Sequence, residues 1–321
     1  QTIMKKVFFL AAAATFALSS CVKNETVYTD AQTPMEFKSF AAASTKAPIA
    51  GTTFEQNISV FAVYNNSGKA YFPETTFEKK EVGRWGGNPA RYWPTTGKMD
   101  FAAYSPAEAG TATATYGTET IDKISVVCPD NDTADQKDIL FGDLLNDVVC
   151  PQANPVAMQF HHALAQIVLK FKQGTAPAAN TYQITVKKVT LNNLVLGGTL
   201  DITPAATSTI AWSAKNTAKN YEVDATEHVL TTNLTALKGV LVVPNDPTSV
   251  TIVYDITIDK DTANEATNEV TQTVELQSDP AYTWESGKKY TYNININLQE
   301  IEINPSVDEW AVVDDKNITI E

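Results

Sequence analysis

Apolar and polar residues alternate with a period of two through much of the chain. In "KKYTYNININL", Tyr290, Tyr292, Ile294, Ile296 and Leu298 fall on one side and Thr291, Asn293, Asn295 and Asn297 on the other. A helix turns every 3.6 residues and would mix these two sets, so the stretch predicts a half-buried strand. "SVTIVYDITID" behaves alike, with Val250, Ile252, Tyr254, Ile256 and Ile258 opposite Thr251, Asp255 and Asp259. Further strands are predicted in Asn57 to Asn66, which closes on an Asn-Asn-Ser-Gly turn, and in Lys98 to Pro106, which proline stops. Met158 to Gly174 and Tyr182 to Thr203 add more, with "GTAPAAN" between them as a loop. Short strands, frequent turns and no long amphipathic helix predict an all-β fold of two sandwiches in tandem. The Pro-rich patch at Pro151 to Pro155 places the join near Gln152 to Pro155, giving one domain over 47–153 and a second over 154–310.

One stretch breaks the pattern. From Met4 the chain reads "MKKVFFLAAAATFALSSC", with Lys5 and Lys6 ahead of a continuous apolar run, Val7 to Leu18. A run this short does not cross about 30 Å of hydrocarbon as a helix. Charge followed by an apolar core is the pattern of a signal peptide, expected over 4–20. Leu18-Ser19-Ser20-Cys21 resembles a bacterial lipobox, which makes Cys21 the expected lipidated residue. Each buried CH₂ of an acyl chain adds about 0.8 kcal/mol of membrane affinity, so several chains anchor durably. Residues 21–46 then form a leader. The small-residue stretch "AAASTKAPIAG" reads as an exposed linker or removable arm and carries one basic residue, Lys46.

With 43% hydrophobic and 19% charged residues the chain has a globular composition. Its net charge of -13 and pI near 4.7 argue against nucleic acid, whose phosphates call for basic patches. Besides Cys21 the cysteines are Cys128 and Cys150, each in the tetrapeptide Val-Val-Cys-Pro. In an exported protein they form either a disulfide, worth about 3 kcal/mol in the chain-entropy model, or two buried thiols that behave as small apolar groups.

Material for catalysis is scarce. The chain has three histidines, His161, His162 and His228, and none of the common nucleophile, zinc-protease or phosphate-loop motifs. His161 and His162 are adjacent, so on a strand they face opposite sides. "PDNDTADQKD" gathers Asp130, Asp132, Asp135 and Asp138, hard oxygen ligands that suit calcium in kind, but Ala134 and Asp135 break the EF-hand spacing. A solvated loop is the expected reading. No metal, cofactor or enzymatic activity is expected. "GRWGGNPARYWP" holds Trp85, Tyr92 and Trp93, which either stack on a glycan or cap a strand end and pack inward. Asp-Thr-Ala, at Asp132 to Ala134 and again at Asp261 to Ala263, resembles the short O-glycosylation site of Bacteroidota.

Four segments occur in a characteristic order: "RYWPTTGKMDFAAYSP", "FHHALAQIVLKFK", "LTTNLTALKGVLVVP" and "YTWESGKKYTYNININLQEIEI", the last followed by "VDEW". With the lipobox they resemble the fimbrillin family of Bacteroidota, the type V pilins and their fimbrillin-like relatives. The resemblance implies two transthyretin-like β-sandwiches, an outer-membrane lipoprotein precursor, and an extracellular fimbria built from copies of one subunit. It also implies cleavage after a basic residue, here Lys46, where many members carry arginine. Loss of the first strand would open a groove for a strand of the next subunit. The tail 311–321, "AVVDDKNITIE", offers Ala311, Val312 and Val313 and then Ile318 and Ile320 as such a donor strand. A non-polymerising surface lipoprotein or tip adhesin, binding a host or bacterial glycan through Trp85, Tyr92 and Trp93, is the alternative.

Overall fold

The computed structural model describes residues 33–39, 56–81, 83–174, 182–223, 226–276, 283–297 and 301–310, the last group's first five by backbone alone. These residues hold strands and turns and no helix. The first strands are β1 (Glu36–Ser39), β2 (Ile58–Tyr64), β3 (Ala70–Glu81), β4 (Arg84–Asn88), β5 (Lys98–Ser105), β6 (Thr111–Tyr116) and β7 (Ile121–Cys128). The middle ones are β8 (Leu140–Gly142), β9 (Leu145–Val149), β10 (Val156–Met158), β11 (Phe160–His162), β12 (Ala165–Gln173), β13 (Tyr182–Leu194), β14 (Gly198–Thr203) and β15 (Thr209–Lys215). Last come β16 (Lys219–Val223), β17 (His228–Val229), β18 (Thr235–Ala236), β19 (Val240–Val242), β20 (Ser249–Ile258), β21 (Ala266–Glu275), β22 (Lys288–Ile296) and β23 (Ile301–Glu309).

The largest sheet has nine strands in the order β10-β1-β4-β3-β2-β5-β8-β11, with β9 beside β5. Its two end strands, β10 and β11, are separated in the chain by Gln159 alone. The pairing path therefore returns to the stretch 156–162 and encloses a core containing Phe37, Phe77, Trp85, Met99 and Phe101, all at most 1% exposed. The outer side of β2 and β5 is covered too. Phe61 and Tyr104 pack there with Ile124, Val126, Leu200 and Ile202 from β7 and β14. Burial on both faces is why "ISVFAV" and "FAAY" are continuous apolar runs where other strands alternate.

A third core lies between β12-β22-β23 and β13-β20-β21. Here the alternation works as predicted. Tyr290, Tyr292, Ile294 and Ile296 are buried, as are Val250, Ile252 and Tyr254. At about 1.5–3 kcal/mol per large apolar side chain, these rows dominate the stability of this part of the molecule.

Pairing crosses residue 153 in two places. β10 and β11 complete the first sheet, and β14–β15 complete a four-stranded sheet with β6–β7 in the order β15-β14-β7-β6. Ser125 Oγ donates to Asp201 Oδ1 at 2.6 Å across the β7–β14 ladder.

Candidate functional site: the seat of the first strand

β1 lies in the interior of a sheet without a covalent neighbour beside it. It runs parallel to β10, with Phe37 opposite Val156 and Ser39 opposite Met158, and antiparallel to β4, with Phe37 opposite Trp85. The next strand in the chain, β2, pairs instead with β3 and β5. The period of two puts Met35 (1% exposed) and Phe37 (0%) into the core and leaves Lys38 in solvent. The Phe37 ring centroid is 5.0 Å from that of Phe77 and 5.1 Å from that of Phe101, both edge-on. Arg84 grips the exposed side, its Nε donating to Glu36 Oε2 at 2.9 Å and its Nη1 to Glu81. These carboxylates raise the guanidinium's pKa above its already high ordinary value.

The approach to β1 is also held. Met35 N–H donates to the Arg91 carbonyl at 2.7 Å, Trp93 N–H donates to the Thr33 carbonyl at 3.0 Å, and Pro34 bridges Tyr92. Residues 33–39 thus occupy a slot made of backbone hydrogen bonds on both sides and aromatic rings beneath. Such a slot recognises an extended chain by its main chain and by alternate side chains.

This places the aromatic cluster. Trp85 is fully buried, with Nε1 donating to the Gln56 carbonyl at 2.8 Å, and Trp93 is 5% exposed. Of the three residues only Tyr92 reaches solvent, so they offer no shared face to a sugar, and Trp85 and Trp93 pack inward, the other of the two readings. Their place is in and beside the seat of β1.

Cys128 and Cys150 are free thiols, which corrects the disulfide reading. The reason is geometric: Cys150 packs inside the nine-stranded sheet and Cys128 in the core on its outer side. Burial pushes their pKa values up, to about 12 for Cys128 and about 11 for Cys150.

The aspartates of the 129–138 loop are occupied by protein groups. Lys219 Nζ lies 2.5 Å from Asp130 Oδ2 and 2.9 Å from Asp132 Oδ2, and Asn216 donates to Asp130 at 2.8 Å. These donors hold the Asp130 carboxyl below its ordinary pKa. Asp135 lies 3.6 Å from Lys238, and Asp138 Oδ2 lies 2.5 Å from His162 Nδ1. Among the described residues no group of three or more His, Cys, Asp or Glu is arranged to hold a metal ion. His161 turns the other way and meets Asp143 Oδ2 at 3.0 Å, while His228 lies 3.3 Å from Thr226 Oγ1. Each histidine thus has its own partner, a carboxylate for His161 and His162 and a hydroxyl for His228.

Sequence reasoning missed Gln136. Its amide donates to the Leu241 carbonyl at 2.9 Å and accepts from the Leu241 N–H at 2.7 Å, tying the acidic loop to β19 as a strand would. Cys21, Lys46, Ala311, Val312, Val313, Ile318 and Ile320 lie outside the described residues.

Residues 45–310 match the family described as Fimbrillin-like. The chain belongs to that family. No curated protein matches it. A fimbrial protein from Bacteroides vulgatus shares the fold at TM-score 0.61 and 17% identity, over 79% of this chain and 92% of that one. Candidate cell adhesion proteins from Bacteroides uniformis and Bacteroides ovatus both align at TM-score 0.52, with 15% and 18% identity. Each alignment covers 88% of this chain, and 100% and 99% of theirs. At these identities the likeness is one of fold. Membership of the fimbrillin-like family supports a fimbrial structural or adhesion role at the cell surface, among other fimbrial subunits.

Proposed function

We propose that this fimbrillin-like chain is a polymerising fimbrial subunit. It is made as an outer-membrane lipoprotein precursor through Cys21, trimmed after Lys46, and assembled by exchange of β1 for a strand of the next subunit. The observation that carries the reading is the seat of β1: residues 33–39, held by backbone pairing on both sides, bury Met35 and Phe37 inside a sheet in which the next described strand, β2, is not their neighbour. Cleavage at Lys46 would leave this arm held by noncovalent contacts alone. Its departure would bare two sheet edges and an aromatic-lined hole, a state relieved by another extended segment. In the tail, Ile318 and Ile320 repeat the spacing of Met35 and Phe37 and suit the same two depressions.

The test is a trypsin titration of soluble precursor lacking the lipid anchor, followed by electron microscopy. Cleavage should yield a new N-terminus at Ala47 and, slowly, filaments, because the packed arm must leave first. Removing residues 311–321 should block filaments without unfolding the subunit. Filaments from uncut precursor, or from the truncated protein, would overturn the reading.

A further inference from the structure

β23 is the last described strand and lies at a sheet edge, paired with β22 alone among the described residues. Nine pairs form its ladder, from Ile301 opposite Ile296 to Glu309 opposite Lys288. A pull on the chain beyond residue 310 would open such a ladder one pair at a time, starting at Glu309. The side chain at that end turns away from its own sheet. Trp310 packs against the core of Phe61, Tyr104, Val126 and Leu200, outside the sandwich to which β23 belongs.

Its partner there is His162. The two rings are stacked, with centroids 3.7 Å apart and planes within 12°. His162 is itself fixed: its side chain is 4% exposed, Nδ1 lies 2.5 Å from Asp138 Oδ2, and Nε2 has no hydrogen-bond partner, which suits a ring used for its face. The backbone repeats the attachment. Trp310 N–H donates to the Gly287 carbonyl at 3.1 Å, and Gly287 N–H donates to the Leu164 carbonyl at 2.9 Å, two residues beyond His162. The nearby Lys288–Glu309 ion pair is substantially solvent-exposed and adds little.

We infer that Trp310, stacked on His162 and backed by Asp138, is a clamp that holds the end of β23 against a pull on the chain beyond it. The clamp hands that pull to the stretch Val156–His162. The same stretch pairs with β1 at its other end, so a short path joins the tail's root to the seat of the first strand. The load-bearing role rests on the strand-exchange reading, whereas the clamp can be measured without it.

Hydrogen exchange on the soluble chain tests the clamp. Trp310→Ala should speed exchange of the β23 amides by about tenfold, the worth of one aromatic pair in a local opening. Exchange across β12 should stay unchanged, and Trp310→Phe should restore most of the protection, which general destabilisation would not allow. Unchanged β23 exchange, or an equal rise everywhere, would overturn the clamp. For the load, trimmed Trp310→Ala subunits should give filaments that shear to shorter lengths than wild type, and equal lengths would overturn that role. Trimmed wild type that forms no filaments would overturn the strand-exchange reading and the load with it, leaving the clamp to the exchange result.

Discussion

Phe37 and Phe77 meet edge-on, their ring centroids 5.0 Å apart, and this contact joins β1 to the centre of a core. Truncating a buried phenylalanine ordinarily costs about 3–5 kcal/mol. If the strand that carries Phe37 leaves after cleavage, as proposed, the loss should appear largely as weaker docking of β1. Phe37→Ala should therefore exchange the amides of Glu36–Ser39 faster and release the arm sooner after cleavage at Lys46. Release at the wild-type rate would show that Phe37 does not hold the strand.

The two thiols give a sharper test of packing. With pKa values of about 12 and about 11, Cys128 and Cys150 are thiolate at pH 8 in about one part in ten thousand and one in a thousand. An aromatic disulfide reagent should leave both untouched in the folded chain and titrate both after urea is added. Their separate cores make oxidant equally ineffective at linking them. A bridged peptide found by mass spectrometry under non-reducing conditions would contradict this arrangement.

Strand content was legible because burial on one face writes a period of two into the sequence, as in Tyr290 to Ile296. Pairing across residue 153 was not. Which edge β14 joins depends on Ser125, Asp201 and the shape of a core, none of which leaves a periodic trace. The aromatic cluster was ambiguous for a related reason: Trp85 and Trp93 have the same composition whether they face a sugar or a core. Only the presence of β1 above them decides the matter. Gln136 was invisible because a glutamine in an acidic loop resembles any solvated residue.

That glutamine is testable in its own right. Leu241 is 7% exposed, and both its backbone groups are satisfied by the Gln136 amide. Gln136→Ala should leave them unpaired and destabilise the chain by about 1–3 kcal/mol. Lys219→Ala removes two surface ion pairs, to Asp130 and Asp132, from the same loop and should cost little. Urea unfolding of the two variants should rank them in this order.

Asp100 predicts a pH dependence. It is 1% exposed and accepts the Asp147 N–H at 2.8 Å through Oδ1. Burial raises its carboxyl above the ordinary range. The folded chain therefore binds this proton more tightly than the unfolded chain does, so ionising Asp100 weakens folding at neutral pH. That cost fades as pH falls through the raised value. Asp100→Asn keeps an acceptor for Asp147 and removes the charge. It should stabilise the chain at pH 7, with the gain shrinking as pH falls towards the ordinary carboxylate range. A gain that is constant from pH 7 to pH 4 would show that Asp100 is not the titrating group.

If the seat of β1 recognises an extended segment by its backbone and two apolar side chains, the severed arm should compete with the incoming strand. A peptide spanning Thr33 to Lys46 carries everything the seat contacts: Met35 and Phe37 for the core, Glu36 for Arg84, and backbone groups for β4, β10 and the Arg91–Trp93 stretch. Added in excess to trimmed subunits, it should slow filament growth by occupying the slot. The doubly substituted peptide, Met35→Ala with Phe37→Ala, keeps the main chain but forfeits about 1.5–3 kcal/mol per side chain. It should bind at least about a hundredfold more weakly and leave growth almost unchanged. A peptide of residues 311–321 should displace the arm peptide, since Ile318 and Ile320 present the same alternation. Simultaneous binding of both would mean that the tail docks elsewhere and that the slot beneath β1 is not the joint between subunits.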